Sequence, residues 1–274
     1  MSLSLSVKGL AVKPSSTLAI TAKAKELRSQ GLDVVGFGAG EPDFDTPVNI
    51  RNAAKEALDR GITRYTPAAG MPELRKAISR KFERINGLHY APEQIIVSNG
   101  GKHALTNIFQ AILNPGDEVI IPSPFWLSYP EIVKLADGVP VFVECDVNDN
   151  FKITPERLAA ACNERTKALV LNSPNNPTGM VYTKAELEAL AKVIVEKDIY
   201  VVSDEIYECL VYEDVEQVSI GSLGEDIYNH TITCCGMAKA YAMTGWRIGY
   251  TGAPLPGAKV MASIQSHQTS NPNS

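Results

Sequence analysis

Short apolar runs alternate along the chain with longer segments in which apolar residues recur at helical spacing. Turn residues such as NPGD at 114–117 separate the two kinds of segment, which is typical of strands that alternate with helices. This alternation predicts an α/β fold with a mostly parallel seven-stranded sheet and helices on both of its faces. The predicted strands are residues 94–98, 118–122, 139–144, 167–171, 199–203, 231–235 and 247–252.

The segments with helical spacing begin and end at Pro, Gly, Ser, Thr or Asn residues that are common at helix ends. An amino-terminal arm that contains Pro14 comes before them, followed by a helix predicted over residues 17–29 that ends before Gly31. The remaining predicted helices are residues 46–60, 72–86, 102–113, 130–136, 154–162 and 184–197.

Composition narrows the class of protein. The 26 basic and 31 acidic residues give a net charge of −5, which offers no positive field for nucleic acid or for an anionic membrane. Five cysteines, an odd number without metal-ligand spacing, indicate buried, reduced thiols and no metal site. The sequence shows no membrane-length apolar run and no secretion-signal pattern, so we expect a cytoplasmic protein.

The most informative motif is AKAYAMTGWRIGY at residues 238–250, which follows the apolar run TITCC at 231–235. A primary amine at the end of a buried strand, here Lys239, can form an imine with an aldehyde cofactor while Arg247 holds that cofactor's phosphate. Most lysines are solvated surface charges, so the interpretation depends on two further polar clusters at strand ends, SPNNPTG at 173–179 and SDEIY at 203–207.

A third cluster, NGGKH at residues 99–103, follows a predicted strand and opens a predicted helix. Unpaired amides at a helix start attract anions, and glycines let the backbone approach them. Taken alone, the two glycines favour an ordinary tight turn. His103 is interpreted as a packing residue. Since ligands of open α/β sheets bind at the carboxyl ends of the strands, these clusters are expected to share one site.

Together these motifs resemble the class I aminotransferases, the aspartate aminotransferase family of fold-type I pyridoxal-phosphate enzymes, in its bacterial branch. The resemblance extends from VKPS at 12–15 through GAGEPDFDTP at 38–47 to the end of the chain. It implies an amino-terminal arm and partial small domain at residues 1–45 and a pyridoxal-phosphate-binding large domain at 46–274. Family members continue beyond Ser274, so the carboxyl-terminal small domain, with an arginine for the substrate α-carboxylate, is expected to be absent from this chain.

The resemblance also implies a role for individual residues. Lys239 is the catalytic residue, and Gly40, Trp126, Asn176 and Lys13 are expected at the substrate. The residues expected to bind the pyridoxal 5'-phosphate cofactor are Gly101, Lys102, Arg247 and Tyr65 at its phosphate, Trp126 and Asp204 at its ring, and Asn176 and Tyr207 at its phenolate oxygen. Tyr65 is expected to come from the neighbouring subunit of a homodimer with a shared active site.

Several of these residues have an alternative explanation that the sequence leaves open. Asp204 is equally suited to cap the next helix, and Asn176 to form a turn before Pro177. Trp126 suits a core position, and Gly40 suits a turn glycine in its Pro- and Asp-rich loop. Lys13 suits a solvated position on the arm.

Two positions depart from the pattern of many family members. Ala238 and Gly236 stand where those members carry serine, so a hydroxyl that would bind the phosphate is missing. The bacterial branch tolerates both residues.

The expected reaction is transamination between aspartate or glutamate and 2-oxoglutarate or oxaloacetate, with prephenate as a further substrate where a lysine matches Lys13. Two alternatives remain. One is another fold-type I pyridoxal-phosphate enzyme, an aromatic aminotransferase or a β-lyase. The other is a non-catalytic, dimer-forming fragment that keeps a cofactor pocket.

Overall fold

A central sheet organises the protein in the computed structural model, which describes residues 4–14, 16–36, 38, 40–212 and 215–269. Within these residues the sheet has seven strands in the order β1-β7-β6-β5-β4-β2-β3. All neighbouring pairs are parallel except those of β7, which is antiparallel to β1 and to β6. The strands are β1 Ile95–Asn99, β2 Glu118–Ser123, β3 Val139–Glu144, β4 Thr166–Asn172, β5 Tyr200–Asp204, β6 Thr231–Gly236 and β7 Ile248–Gly252. The predicted fold class is confirmed.

Helices cover both faces of the sheet. The predicted helix over residues 72–86 changes form within its length, because α4 ends at Lys81 and a π-helix, Phe82–Asn86, continues it to Gly87 at φ 65°. The helices are α1 Val7–Ala11, α2 Ser16–Ser29, α3 Val48–Asp59, α4 Pro72–Lys81, α5 Gly101–Ile112, α6 Ser128–Leu135, α7 Pro155–Ala161, α8 Lys184–Glu196, α9 Glu225–His230, α10 Met237–Ala240 and α11 Leu255–Gln268.

The sequence pattern did not predict α11. Its buried residues are Ala258, Met261 and the polar Gln265, so its inward face is not marked by large apolar side chains at helical spacing. The Gln265 amide donates to the carbonyl of Val97 at 2.7 Å and accepts from the Ser98 hydroxyl at 2.6 Å. Hydrogen bonds to β1 therefore supplement apolar burial in holding this helix.

Successive residues of the central strands pack into different cores, as the period of two requires. On β5, Val202 belongs to the core under α5, α6 and α11, whereas Val201 belongs to the core under α7, α8 and α9. A third core, which includes Phe82 and Tyr250, packs the end of α4 against β1 and β7. At the carboxyl end of β5, the same alternation directs successive side chains to opposite faces of the sheet.

The amino-terminal segment is more exposed than the sheet and its helices. Helix α1 lies against the end of α6, where the Lys8 ammonium pairs with the Asp137 carboxylate at 2.7 Å. Helices α1 and α3 bury none of their residues. Within the described residues, no helix is both long and apolar enough to span a membrane.

Candidate active site

Lys239 lies on α10, directly after β6. Its half-buried ammonium donates a hydrogen bond to the carbonyl of Gly40 and lies 5.7 Å from the ring centroid of Tyr207. Burial lowers the pKa of Lys239, the Arg247 cation lowers it further, and the Glu41 carboxylate acts in the opposite direction. The environment therefore enlarges the neutral fraction of this amine.

Asp204 ends β5 and is 4% exposed. Its Oδ2 accepts a hydrogen bond from the Tyr129 hydroxyl at 2.6 Å, and its Oδ1 accepts from the backbone amide of Ile206 at 3.2 Å. Burial raises the pKa of Asp204 to about 6 against the effect of these two hydrogen bonds. A buried carboxylate with so few donors is suited to a cationic or protonated partner.

Tyr129 was not identified from the sequence. It lies in the first turn of α6, three residues after Trp126, and the two rings meet edge to face with centroids 5.3 Å apart. The PFWLSYP segment at 124–130 contained the signal, since a tyrosine buried beside a strand end needs a partner for its hydroxyl. Half-buried Trp126 packs against the core, and the Lys102 ammonium lies 5.2 Å from its ring centroid.

Asn176 and Tyr207 come together from two neighbouring strand ends. The Asn176 amide donates to the Tyr207 hydroxyl at 3.3 Å, and the Asn176 backbone amide donates to Asn172 Oδ1 at 2.7 Å. Burial, and then the Asp204 carboxylate, raise the pKa of Tyr207. The turn-forming contacts lie one residue earlier, where Asn175 Oδ1 accepts from the amide and hydroxyl of Thr178. The Asn176 side chain is thus directed to Tyr207.

The start of α5 and Arg247 form a tight cradle. Helix α5 begins at Gly101 after Gly100, whose φ is 85°, and a Cβ on Gly100 would lie 2.3 Å from Nη2 of Arg247. A Cβ on Gly249 would lie 2.3 Å from the carbonyl carbon of Gly100. The first amides of a helix lack intrahelical acceptors, so here they and a guanidinium are held side by side, a combination that suits a phosphate.

His103 supports this helix start. Its Nδ1 accepts from the Asn99 backbone amide at 3.1 Å, and its Nε2 meets Gln268 Oε1 at 2.6 Å. The imidazole therefore connects the end of β1 to the end of α11, in keeping with the packing role expected for it.

The remaining predicted site residues are held by fewer contacts. Tyr65 is 84% exposed. Lys13 is exposed on the arm, where its backbone amide donates to Glu131 Oε2 at 3.2 Å. Gly40 reaches the site through its carbonyl alone. Ser15 and Ala39 of the predicted motifs, and residues 270–274 of the predicted large domain, lie outside the described residues.

An open cleft of about 560 Å³ separates the loop at 41–46 from the loop at 242–246. The Thr46 hydroxyl donates to the Ala242 carbonyl at 2.5 Å and accepts from the Trp246 indole at 3.1 Å, and the Thr244 hydroxyl donates to Glu41. These bonds connect the loop that carries Gly40 to the loop that follows Lys239.

The chain is similar to known aminotransferases over most of its length. The family model for class I and II aminotransferases matches residues 32–274. An aspartate aminotransferase of a Bacillus species is 54% identical over 259 residues, which cover 94% of this chain and 66% of the relative. An aspartate/prephenate aminotransferase of Thermus thermophilus is 56% identical over 269 residues, which cover 98% of this chain and 69% of the relative.

Solved structures agree with the sequence comparison. Thermus thermophilus aspartate aminotransferase with maleate superposes with a TM-score of 0.95 at 56% identity, over 99% of this chain and 70% of that one. An aromatic aminotransferase from Pyrococcus horikoshii gives a TM-score of 0.86 at 42% identity, over 91% of this chain and 67% of that one. The chain spans about two thirds of the length of its curated relatives.

Proposed function

The chain belongs to the class I and II aminotransferase family, and we propose that it binds pyridoxal phosphate at the carboxyl ends of its strands to transfer amino groups. The substrates proposed are aspartate or glutamate with 2-oxoglutarate or oxaloacetate, since the relatives described above carry aspartate in their names. The observation that carries the proposal is the half-buried Lys239 amine with a lowered pKa beside Arg247 and Tyr207. Family relatives are pyridoxal-phosphate enzymes.

The residues present fit this cofactor. The cradle of Gly101, Lys102 and Arg247 would bind the phosphate, and a side chain on Gly100 would fill that cradle. The buried Asp204 carboxylate would hold the proton on the ring nitrogen. Asn176 and Tyr207 would donate to the phenolate oxygen, and Trp126 would stack on the ring.

When bound, the cofactor supplies an aldehyde for amines and a ring that withdraws the electrons left when the substrate Cα–H bond breaks. Lys239 Nζ would hold the cofactor covalently until an amino acid displaces it, and would then take the proton from the substrate Cα as a general base. Its lowered pKa enlarges the neutral fraction that can accept a proton. Gly40, Asn176 and Lys13 are proposed on the substrate side.

We propose further that the active enzyme is a homodimer, in which the exposed Tyr65 reaches the phosphate of the neighbouring subunit.

The five cysteines, all within the described residues, are free thiols, in keeping with a reducing compartment such as the cytoplasm.

An aromatic substrate is the second candidate, because the aromatic aminotransferase structure also superposes on this chain.

Turnover of aspartate with 2-oxoglutarate, coupled to reduction of the oxaloacetate formed, tests the proposal. Lys239→Ala should lower kcat by about 10⁴-fold or more, because a general base and the covalent attachment are lost together. Borohydride reduction of the wild-type holoenzyme should fix the cofactor on the peptide that contains Lys239.

The control is Lys102→Ala, which keeps the backbone amide proposed for the phosphate and should retain labelling at Lys239. Labelling of another lysine would contradict the assignment. A higher kcat/KM for phenylalanine or tyrosine than for aspartate would favour the aromatic candidate. Cofactor binding without any turnover would identify a non-catalytic fragment.

A further inference from the structure

A buried polar cluster lies behind the candidate site, where the π-helix meets the segment after β5. Its members are all less than a tenth exposed and come from three parts of the chain: Lys81, Asn86, Glu205, Glu208 and Cys235. Glu205 directly follows Asp204, yet its carboxylate bonds to Asn86 and Ser203, whereas the Asp204 carboxylate bonds to Tyr129. The side chains of these two adjacent residues therefore lie in different environments, that of Glu205 in the buried cluster and that of Asp204 in the candidate site.

Asn86 is the centre of this cluster. Its Nδ2 donates to Glu205 Oε2 at 2.8 Å and to Glu208 Oε2 at 2.7 Å, so both amide hydrogens are used. Its Oδ1 accepts from Lys81 Nζ at 3.0 Å, and Lys81 also pairs with Glu208. One amide therefore bridges two buried carboxyl groups, whose oxygens would be costly to leave without donors.

The cluster is not suited to bind a metal ion. Ligand atoms of Glu205, Glu208 and Cys235 lie within 4.8 Å of one another. The Lys81 ammonium already supplies a cation among them, 3.7 Å from the Cys235 sulfur. Burial raises the pKa of the Cys235 thiol well above its usual range, which disfavours the thiolate that a metal would need.

The two carboxylates lie on either side of Tyr207 in the sequence. The backbone amide of Glu208 donates to the Glu205 carbonyl at 3.0 Å, and that of Leu210 donates to the Tyr207 carbonyl at 2.7 Å, which closes a compact turn. Glu205 is also held by the Ser203 and Ser219 hydroxyls at 2.8 and 2.6 Å. The turn that carries Tyr207 is therefore anchored through its flanking side chains.

The π-helix determines where Asn86 lies. A π turn contains one more residue than an α turn and is frequent at functional sites. If α4 continued as the predicted α-helix to residue 86, the Asn86 side chain would be rotated about the helix axis by about 100°, the angle that one residue covers in an α-helix. The local departure from α geometry thus coincides with the residue that bridges the two carboxylates.

We propose that Asn86 is a positioning residue, which holds the turn from Glu205 to Glu208 and thereby sets Tyr207 and Asp204 relative to Lys239. What Tyr207 and Asp204 do in the site rests on the proposed function. The positioning itself is a property of the cofactor-free chain, and it can be measured without activity.

The test compares Asn86→Leu with Asn107→Leu. Asn107 is also buried, but its amide donates to Gln265 on α11 and not to the turn that carries Tyr207. Amide hydrogen exchange is followed by mass spectrometry in the cofactor-free proteins. Asn86→Leu should speed exchange across residues 204–210 by about tenfold or more, because two buried acceptors lose their donor. Asn107→Leu should leave this peptide at the wild-type rate.

A second variant keeps the test decisive if Asn86→Leu does not fold. Asn86→Ser retains one hydroxyl donor, which can serve one carboxylate at a time, so its exchange rate should fall between those of wild type and Asn86→Leu. The dissociation constant for pyridoxal phosphate should rise in the same order, and Asn107→Leu should leave it unchanged.

Wild-type exchange at residues 204–210 in Asn86→Leu, or in Asn86→Ser where only that variant folds, would overturn the proposal. Equal acceleration in Asn107→Leu would also overturn it, since the effect would then reflect general loosening. Failure of wild-type protein to bind pyridoxal phosphate would refute the proposed function alone, because the exchange comparison would still decide the role of Asn86.

Discussion

The candidate site has two parts that differ in how firmly the chain holds them. Asp204, Asn176 and Tyr207 lie at or just after strand ends, and hydrogen bonds hold their side chains in partly or fully buried positions. Lys13 and Tyr65, by contrast, are exposed and belong to the part of the chain that precedes β1. The first part is preorganised within one chain, which is the arrangement that makes fixed charges effective in catalysis.

The largest effect in this comparison is expected from the preorganised part. Asp204→Ala should lower kcat by on the order of 10²–10³-fold and change cofactor affinity less, because a charge at the ring nitrogen acts chiefly when the Cα–H bond breaks. Steady-state kinetics and cofactor titration provide the two quantities.

Asp204→Asn is the matched control, since it keeps an acceptor for the Tyr129 hydroxyl but carries no charge. It should therefore resemble Asp204→Ala in kcat. Equal losses in rate and affinity for Asp204→Ala would indicate a carboxylate with a structural role only.

A smaller effect, on stability, is expected at the neighbouring residue. Burial raises the pKa of Glu205 from 4.5 to about 7, so the folded state binds more protons than the unfolded state between these values. Stability should therefore fall as pH rises from about 4.5 to 7, by on the order of 3 kcal/mol for this group. Glu205→Gln should flatten that dependence in urea unfolding measured across this range.

Glu186→Gln provides a control of opposite sign. Hydrogen bonds from Lys152 and Thr183 outweigh desolvation and lower the pKa of Glu186, so its contribution is present at neutral pH and is lost as pH falls. An unchanged slope in Glu205→Gln would mean that Glu205 stays ionised in the folded protein at pH 5 to 7.

The smallest effect is expected at the exposed part. Tyr65→Phe should raise the dissociation constant for pyridoxal phosphate by about tenfold, the loss typical of one hydrogen bond to a charged group. Tyr212→Phe, at another exposed tyrosine, should leave it unchanged. In a mixed dimer of one Tyr65→Phe subunit and one Lys239→Ala subunit, one site combines an intact Lys239 with the intact Tyr65 of the other subunit. That site should bind pyridoxal phosphate with wild-type affinity. Without that recovery, Tyr65 does not act across subunits.

The sequence could predict features that have a local signal, but not contacts between residues that are far apart in the chain. Each predicted strand appears within one residue at either end, because apolar runs and turn residues are local signals. Asp204 was identifiable since a carboxylate after a buried run is unusual. Tyr129 lies 75 residues from Asp204, and Asn86 lies 119 residues from Glu205. Tertiary packing brings these partners together over long sequence distances, so the sequence does not indicate which residues will pair.

The close approach of Gly249 to the Gly100 backbone limits how the protein can change. Main-chain atoms, which cannot turn aside as a flexible side chain can, occupy the space that even an alanine methyl group would need. Sequence variation therefore has little freedom at this crossing of strand and helix. The freedom lies in the two loops around the open cleft, where exposed side chains such as Phe44 can be exchanged without moving the sheet.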